Sequence, residues 1–199
     1  SNSWLANGIN WAWNTGGADV LSNSWGGGSP SSAINSAIDG AVNSGRGGLG
    51  APVLFSAGNG NGSVGYPATY TSTIAVAAMS MCYERKSPSS CDGENWWGSD
   101  YGTNLDVAAP GVKVYTTDIS GQNGYDLGDY VSNFNGTSSA CPNAAGVMAL
   151  ILSVNPSLTL AQARFAMEST CKKVGGYAYN NGVSGQPNGT WSDELGYGM

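Results

Sequence analysis

The residues best suited to chemistry lie in Asn135–Gly146, which reads N-G-T-S-S-A-C-P-N-A-A-G and runs into Val147-Met148-Ala149-Leu150-Ile151-Leu152. A glycine and small hydroxyl residues precede a long run of helix formers. That pattern predicts a tight turn delivering Ser138 to the first turn of a buried helix. A hydroxyl held there faces backbone N–H groups that lack helical acceptors, together with the positive end of the helix dipole. Both favour negative charge developing nearby, as an attacking alcohol requires. Pro142 is read as a first-turn residue, where a missing N–H costs no helical bond. The competing reading is that Thr137 or Ser138 simply N-caps a core helix.

The rest of the chain must position that turn. Ser3–Trp13 places Trp4, Leu5, Gly8, Ile9, Ala12 and Trp13 towards one side of a helix, which Gly16-Gly17 ends. Ala18–Ser24 reads as a short buried strand with Trp25-Gly26-Gly27-Gly28 at its carboxyl end. Apolar pairs at Ala33-Ile34, Ala37-Ile38 and Ala41-Val42 predict a second helix. Pro52–Ala57 and Thr73–Ala78 are two more buried strands, the first followed directly by Gly58-Asn59. Continuous apolar strands separated by helices predict an α/β domain with a mostly parallel sheet covered on both faces. Ligands gather at the carboxyl ends of such strands, here Ser24-Trp25-Gly26 and Gly58-Asn59, where small residues let a substrate approach the backbone. Both are also readable as ordinary glycine-rich turns.

Downstream, residues 81–100 read as a polar, cysteine-bracketed insertion loop. Leu105–Tyr115 predicts two short strands around a Pro-Gly turn. Thr159-Leu160-Ala161-Gln162 is a capping box opening a helix to about Ser169, and the tail from Gly175 reads as irregular. Neither an internal repeat nor a second domain is visible.

The composition narrows the function classes. Of 199 residues only 10% are charged, with 7 basic and 13 acidic residues, no histidine, and a formal net charge of -6. That balance argues against nucleic acid as a partner. No run reaches the ~18 apolar residues of a membrane span, so no membrane partner is expected. Seven Trp and ten Tyr argue for a folded core, and abundant polar but uncharged residues suit a secreted protein. Four cysteines lack the paired C-x-x-C spacing of a zinc site, and no metal ligand set is assigned. Cys82 and Cys91 flank one loop and form one preferred disulfide. Cys141 and Cys171 form the other, at opposite ends of a hairpin of similar helices; buried free thiols are the alternative.

Four separated motifs together resemble the subtilisin-like serine peptidases, or subtilases. The stretch N-G-T-S-S-A-C-P is similar to that family's nucleophile motif G-T-S-x-A-x-P. Ser56-Ala57-Gly58-Asn59 is similar to its A-G-N motif, and Ser24-Trp25-Gly26 to the S-x-G strand that binds substrate backbone. Asp106–Gly111 resembles its D-V-x-A-P-G turn, and Tyr66-Pro67-Ala68 and the first helix also match. The likeness covers nearly the whole chain. It implies a three-layer α/β/α subtilisin-like fold, here lacking its amino-terminal side, with residues 1–199 as one partial catalytic domain.

The resemblance implies Ser138 as nucleophile and Asn59 as oxyanion donor, with Ser139 a much weaker rival for the first role. Ser24, Trp25, Gly26, Ser56, Ala57, Gly58 and Thr137 are the implied substrate-binding residues. Trp25, Ser56, Ala57 and Gly58 at a pocket entrance point to uncharged side chains at the cleaved residue. The family's chain order is Asp, His, Ser, so the first two triad members are expected upstream of Ser3 and outside this chain. Neither Asp19 nor Asp106 occupies a triad position, and without a base Ser138 is a poorly activated alcohol. Asn143 stands where many relatives have a structural histidine, and Cys141 stands at a small-residue position.

The expected activity is that of a secreted serine endopeptidase acting through an acyl-enzyme on polypeptides. Its partners are the substrate and the missing amino-terminal part of the same domain. The alternatives are a non-catalytic peptide- or protein-binding module and a glycan-binding domain, the latter leaving the ordered motifs unexplained. No cofactor is required for the chemistry, and structural calcium is allowed for, at carbonyls of Tyr66–Thr73 or at the acidic stretch Asp126–Asp129.

Overall fold

The computed structural model describes residues 1–199. Helix α1 (Asn2–Asn10) continues as a wider π turn to Thr15. It is followed by β1 (Leu21–Asn23), α2 (Ser32–Ser44), β2 (Val53–Ser56), β3 (Ile74–Met79) and β4 (Val107–Pro110). Strands β5 (Val114–Thr117) and β6 (Tyr130–Phe134) lead to α3 (Thr137–Val154) and α4 (Leu160–Thr170).

The four strands β1-β2-β3-β4 form one parallel sheet in chain order, in register Leu21–Val53, Leu54–Ile74 and Val76–Val107. Every residue of β2 and β3 is buried, as expected when both faces of a sheet are covered. On one face Ile34, Ala37, Ile38 and Ala41 of α2 pack with Leu21, Val53, Phe55 and Ala75. On the other, Ala140, Cys141, Ala144, Met148 and Ala163 of the last two helices pack with Leu54, Ile74, Val76 and Val107. The result is a three-layer α/β/α architecture, as the continuous apolar strands predict.

Several local expectations are corrected. The two short strands around the Pro-Gly turn form, but in different sheets: β4 belongs to the parallel sheet, and β5 pairs antiparallel with β6 in a separate one. In α1 only Ala6 and Ile9 are buried, and Trp4 is 78% exposed. The reason is placement, because α1 lies on α2 rather than on the sheet, with Trp13 against Gly40. Helix α3 buries one side only and leaves Val147, Leu150 and Val154 exposed. Its 18 residues, with mean hydropathy 1.3, are long and apolar enough by length and composition to cross a membrane, although polar residues interrupt the apolar run. Its buried side, however, packs on the sheet. The tail is irregular in backbone yet part of the core: Trp191, Leu195 and Tyr197 are buried, and the Tyr197 N–H bonds Asp106 O beside β4.

The 81–100 segment is closed by a Cys82–Cys91 disulfide, but it is more than a surface insertion. Lys86 is fully buried, and its ammonium bonds Asp92 at 2.9 Å and Ser90 at 3.2 Å. Burying a charge is tolerable only when it is paired and hydrogen-bonded in this way. The Cys141–Cys171 bond does not form; both thiols are free. Cys141 faces β1, with its sulfur beside Asn23 O and Ser22 Oγ. Cys171 sits beside β4, in a cleft with Val107–Pro110. Those strands are the two edges of the sheet, three intervals or roughly 14 Å apart, well beyond the ~7 Å a disulfide can span.

Candidate active site

Strands β1 and β2 and helix α3 meet at the carboxyl end of the sheet. All nine residues singled out from the sequence line one cleft there, of about 350 Å³: Ser24, Trp25, Gly26, Ser56, Ala57, Gly58, Asn59, Thr137 and Ser138. Gly27, Gly65, Tyr66 and Asp100 complete its lining.

Gly136, at φ +116°, is the N-cap of α3, and no side chain caps the helix, so neither Thr137 nor Ser138 plays the capping role. The buried Thr137 instead ties two segments together. Its Oγ1 accepts from the Gly58 N–H at 3.2 Å and donates to Asn59 Oδ1 at 2.9 Å, while its own N–H donates to the same oxygen at 2.8 Å. A backbone N–H can only donate, so the Asn59 atom facing it must be the oxygen. The Asn59 amide NH₂ is thereby turned elsewhere, and it makes no hydrogen bond within the protein. Gly58, at φ +118°, is required for close approach, because a Cβ there would collide with the Asp100 carboxylate.

Ser138 is half-buried, and its hydroxyl donates to Ser24 O over a long 3.3 Å. In return Ser24 Oγ donates to Ser138 O at 2.8 Å. Pro142 explains why that carbonyl is free. It lies inside α3, not in the first turn as expected, and lacks the N–H that would bond Ser138 O four residues back. The Ser138 N–H has no acceptor within the protein. It is a second donor beside the hydroxyl, one of the helix-start N–H groups that the sequence places there without helical acceptors. On the far wall, Trp25 stands edge-on to Phe55, ring centroids 5.0 Å apart. The backbone groups of Trp25 and Gly26 form no internal hydrogen bond.

Neither Asp19 nor Asp106 supplies a base for Ser138. Asp19, paired with Arg46 at 3.7 Å, precedes β1, and Asp106 precedes β4. Both lie at the amino ends of parallel strands, a strand's length of roughly 10–15 Å from the carboxyl end. Burial pushes the Asp106 carboxyl up to about 6 despite the Arg164 guanidinium beside it. Asp106 borders a larger cleft, about 610 Å³, in which Arg164 bridges Asp106 and Glu168. Arg164 offsets one of the two carboxylate charges, and the group holds no activated nucleophile. Asn143 donates to Pro110 O and Ser139 O, tying α3 to β4.

At the Tyr66–Thr73 stretch suggested for calcium, three carbonyls already share one donor. The carbonyls of Pro67, Ala68 and Tyr70 converge on the Thr73 hydroxyl, 2.7–3.3 Å away. The nearby Asp106 carboxylate is held by Arg164 and the Ala75 N–H. Next to the other suggested stretch, Asp126–Asp129, the Asp118 carboxylate accepts the backbone N–H groups of Ile119 and Asp126. The one close group of potential ligands, Cys82-Glu84-Cys91, has both sulfurs in the disulfide.

A family model described as the Subtilase family matches residues 1–198. A subtilisin of Bacillus pumilus is 41% identical over 182 residues, covering 89% of this chain and 58% of that protein. A calcium-dependent protease of Nostoc is 39% identical over 162 residues, covering 75% of this chain and 24% of that one. Among solved structures, a protease from Pseudoalteromonas arctica superposes with a TM-score of 0.70 at 30% identity, over 87% of this chain and 52% of that one. The chain thus spans about half the length, or less, of the relatives it matches. With the fold, the ordered motifs and the family match in agreement, the chain belongs to the subtilase family of serine peptidases.

Proposed function

We propose that this chain is the carboxyl-terminal part of a serine endopeptidase catalytic domain, with Ser138 as nucleophile and Asn59 as oxyanion donor. The observation that carries the reading is the shared cleft, which Ser138 and Asn59 both line with the Ser138 N–H and the Asn59 amide unengaged within the protein. Ser138 Oγ attacks that carbon, and its proton passes to a histidine supplied from an upstream segment and oriented by an aspartate. The carbonyl oxygen gains negative charge and accepts from the Asn59 amide and the Ser138 N–H, donors already aimed before charge develops. The intermediate then expels the amine, protonated by the same histidine, and water releases the acyl group from Ser138. Before attack the serine gives up its long bond to Ser24 O. An extended peptide pairs with Ser24–Gly28, where Trp25 and Gly26 have backbone groups to spare.

The histidine-free chain leaves one other reading: a module that binds peptides without cutting them. An upstream partner is supported by the chain's span of about half of its relatives. The exposed α3 face and the apolar cleft of about 370 Å³ between α1 and β1 also support it. The low charge and the Cys82–Cys91 disulfide support an extracellular setting. A structural calcium, in line with what the Nostoc relative's name reports for that protein, belongs to this reading with no ligand set assigned. The deciding experiment treats the full-length gene product with a fluorophosphonate and maps the adduct by mass spectrometry. Modification of Ser138, lost in Ser138→Ala, is expected; labelling elsewhere, or none, overturns the catalytic assignment.

A further inference from the structure

The cleft contains a charge that its motifs do not announce. Asp100 lines the same space as Ser138, Gly65 and Trp25, although it is 42 residues from Gly58 in sequence. Its own backbone N–H donates to Gly58 O at 2.8 Å, so it is stitched directly to the loop that carries Asn59. One carboxylate oxygen, Oδ1, accepts from the Gly62 N–H at 2.7 Å. The other, Oδ2, lies where a Gly58 side chain would be and accepts no hydrogen bond within the protein.

The carboxylate is also held firmly and left without a counter-charge. The Ser99 N–H bonds Lys86 O at 2.8 Å, and Arg85 Nη1 reaches Ser99 O at 2.8 Å and Asn61 Oδ1 at 2.7 Å. The buried Lys86–Asp92 pair and the disulfide brace the segment behind it. None of the residues lining the cleft is basic. Arg85, the nearest cation along this segment, stacks on Tyr101 and is committed to Glu194 at 2.6 Å. A half-buried carboxylate with an open oxygen, in a cleft at the low end of the ~300–1,000 Å³ typical of ligand sites, is the complement of an ammonium or guanidinium.

We infer that Asp100 makes this cleft selective for a basic side chain, lysine or arginine, at the substrate residue that supplies the scissile carbonyl. The inference rests on the peptidase reading for the direction in which the peptide lies. It replaces the uncharged preference that Trp25, Ser56, Ala57 and Gly58 alone would imply. Asp100 acts in specificity only; the Ser138 hydroxyl donates to Ser24 O and not to it.

The test uses the full-length gene product carrying Ser138→Ala, so that peptides bind without being consumed. Two tetrapeptides are compared by calorimetry, identical except for arginine or its uncharged isostere citrulline at the carboxyl-terminal residue. Arginine is expected to bind about tenfold more tightly or better, the scale of one charge-assisted hydrogen bond. The advantage should shrink as salt is raised and vanish in the double variant with Asp100→Asn, which keeps an acceptor for Gly62. Equal affinities, no binding of the arginine peptide, or an arginine preference that survives Asp100→Asn each overturn the inference. The parent comparison needs no Asp100 variant to fold. Turnover of the corresponding esters by unmodified protein separates the two readings. Charge-selective binding without hydrolysis removes the peptidase reading and leaves Asp100 standing; hydrolysis indifferent to charge does the reverse.

Discussion

At the scale of single residues, the site depends on Asn59 having one permitted orientation. Two donors from Thr137, its N–H and its hydroxyl, hold Asn59 Oδ1, so the opposite end of the amide is available without any rearrangement. Preorganisation of this kind matters because a donor that must first leave another partner offsets part of what it contributes to the transition state. In the full-length protein, Asn59→Ala is therefore expected to lower kcat by about 10²–10³ with little change in KM, the loss measured for such a side-chain donor in a subtilisin. Steady-state kinetics on a peptide ester checks it. A rise in KM at constant kcat would show that Asn59 merely binds substrate. The Ser138 N–H remains as a second donor in that variant, so activity should not disappear.

Among the elements, α3 does two tasks that pull against each other. Its start must be open to a substrate, and its body must cover the sheet. Pro142 separates them by freeing the Ser138 carbonyl for Ser24 Oγ, which anchors the first turn to the strand that borders the cleft. Helix α4 needs no such device, and its Thr159–Gln162 capping box forms as the sequence indicates. The same helices decide the state of two thiols. Burial pushes Cys141 upward and Cys171 up to about 11, so little reactive thiolate exists at neutral pH. Native protein is expected to alkylate slowly with iodoacetamide. After unfolding without reductant it should gain adducts at Cys141 and Cys171, and at Cys82 and Cys91 only once reduced. Peptide mapping reads this directly, and unmodified Cys141 and Cys171 in the unfolded, unreduced sample would restore the bond between them.

For the molecule as a whole, the sheet is covered above and below but open beside β1, a three-residue edge strand. Trp4, 78% exposed, lines the cleft beside it, and Trp11 at 64% and Leu150 of α3 at 67% are exposed as well. Unpaired edges and contiguous apolar surface promote association. If an upstream segment of the same domain covers them, as we proposed, residues 1–199 produced alone should bind a hydrophobic dye and sediment as aggregates. Co-expression with the upstream segment should yield a soluble heterodimer with the dye signal reduced. A monodisperse, dye-silent isolated chain would remove that part of the proposal. The parallel sheet also places Asp19 and Asp106 at its amino ends, which is why neither reaches Ser138 as a base.

What could be read from residues alone was whatever depends on near neighbours or on repeating pattern. Apolar runs at Val53–Ser56 and Ile74–Met79 identify strands buried on both faces, the 3.6-residue spacing of Ile34–Val42 identifies α2, and G-T-S marks the helix start that carries Ser138. The amino acids also determined which groups the chain lacks, histidine above all, and no folding can provide one. Tertiary structure decided everything that joins distant segments: that α1 lies on α2, which edge of the sheet each cysteine faces, and how Thr137 turns the Asn59 amide. It also carried Asp100 out of a polar loop and into the cleft, through a buried lysine and hydrogen bonds spanning some 40 residues. Such contacts leave no periodicity behind, because they are set by where two segments of chain come to lie and not by the order of residues within either one.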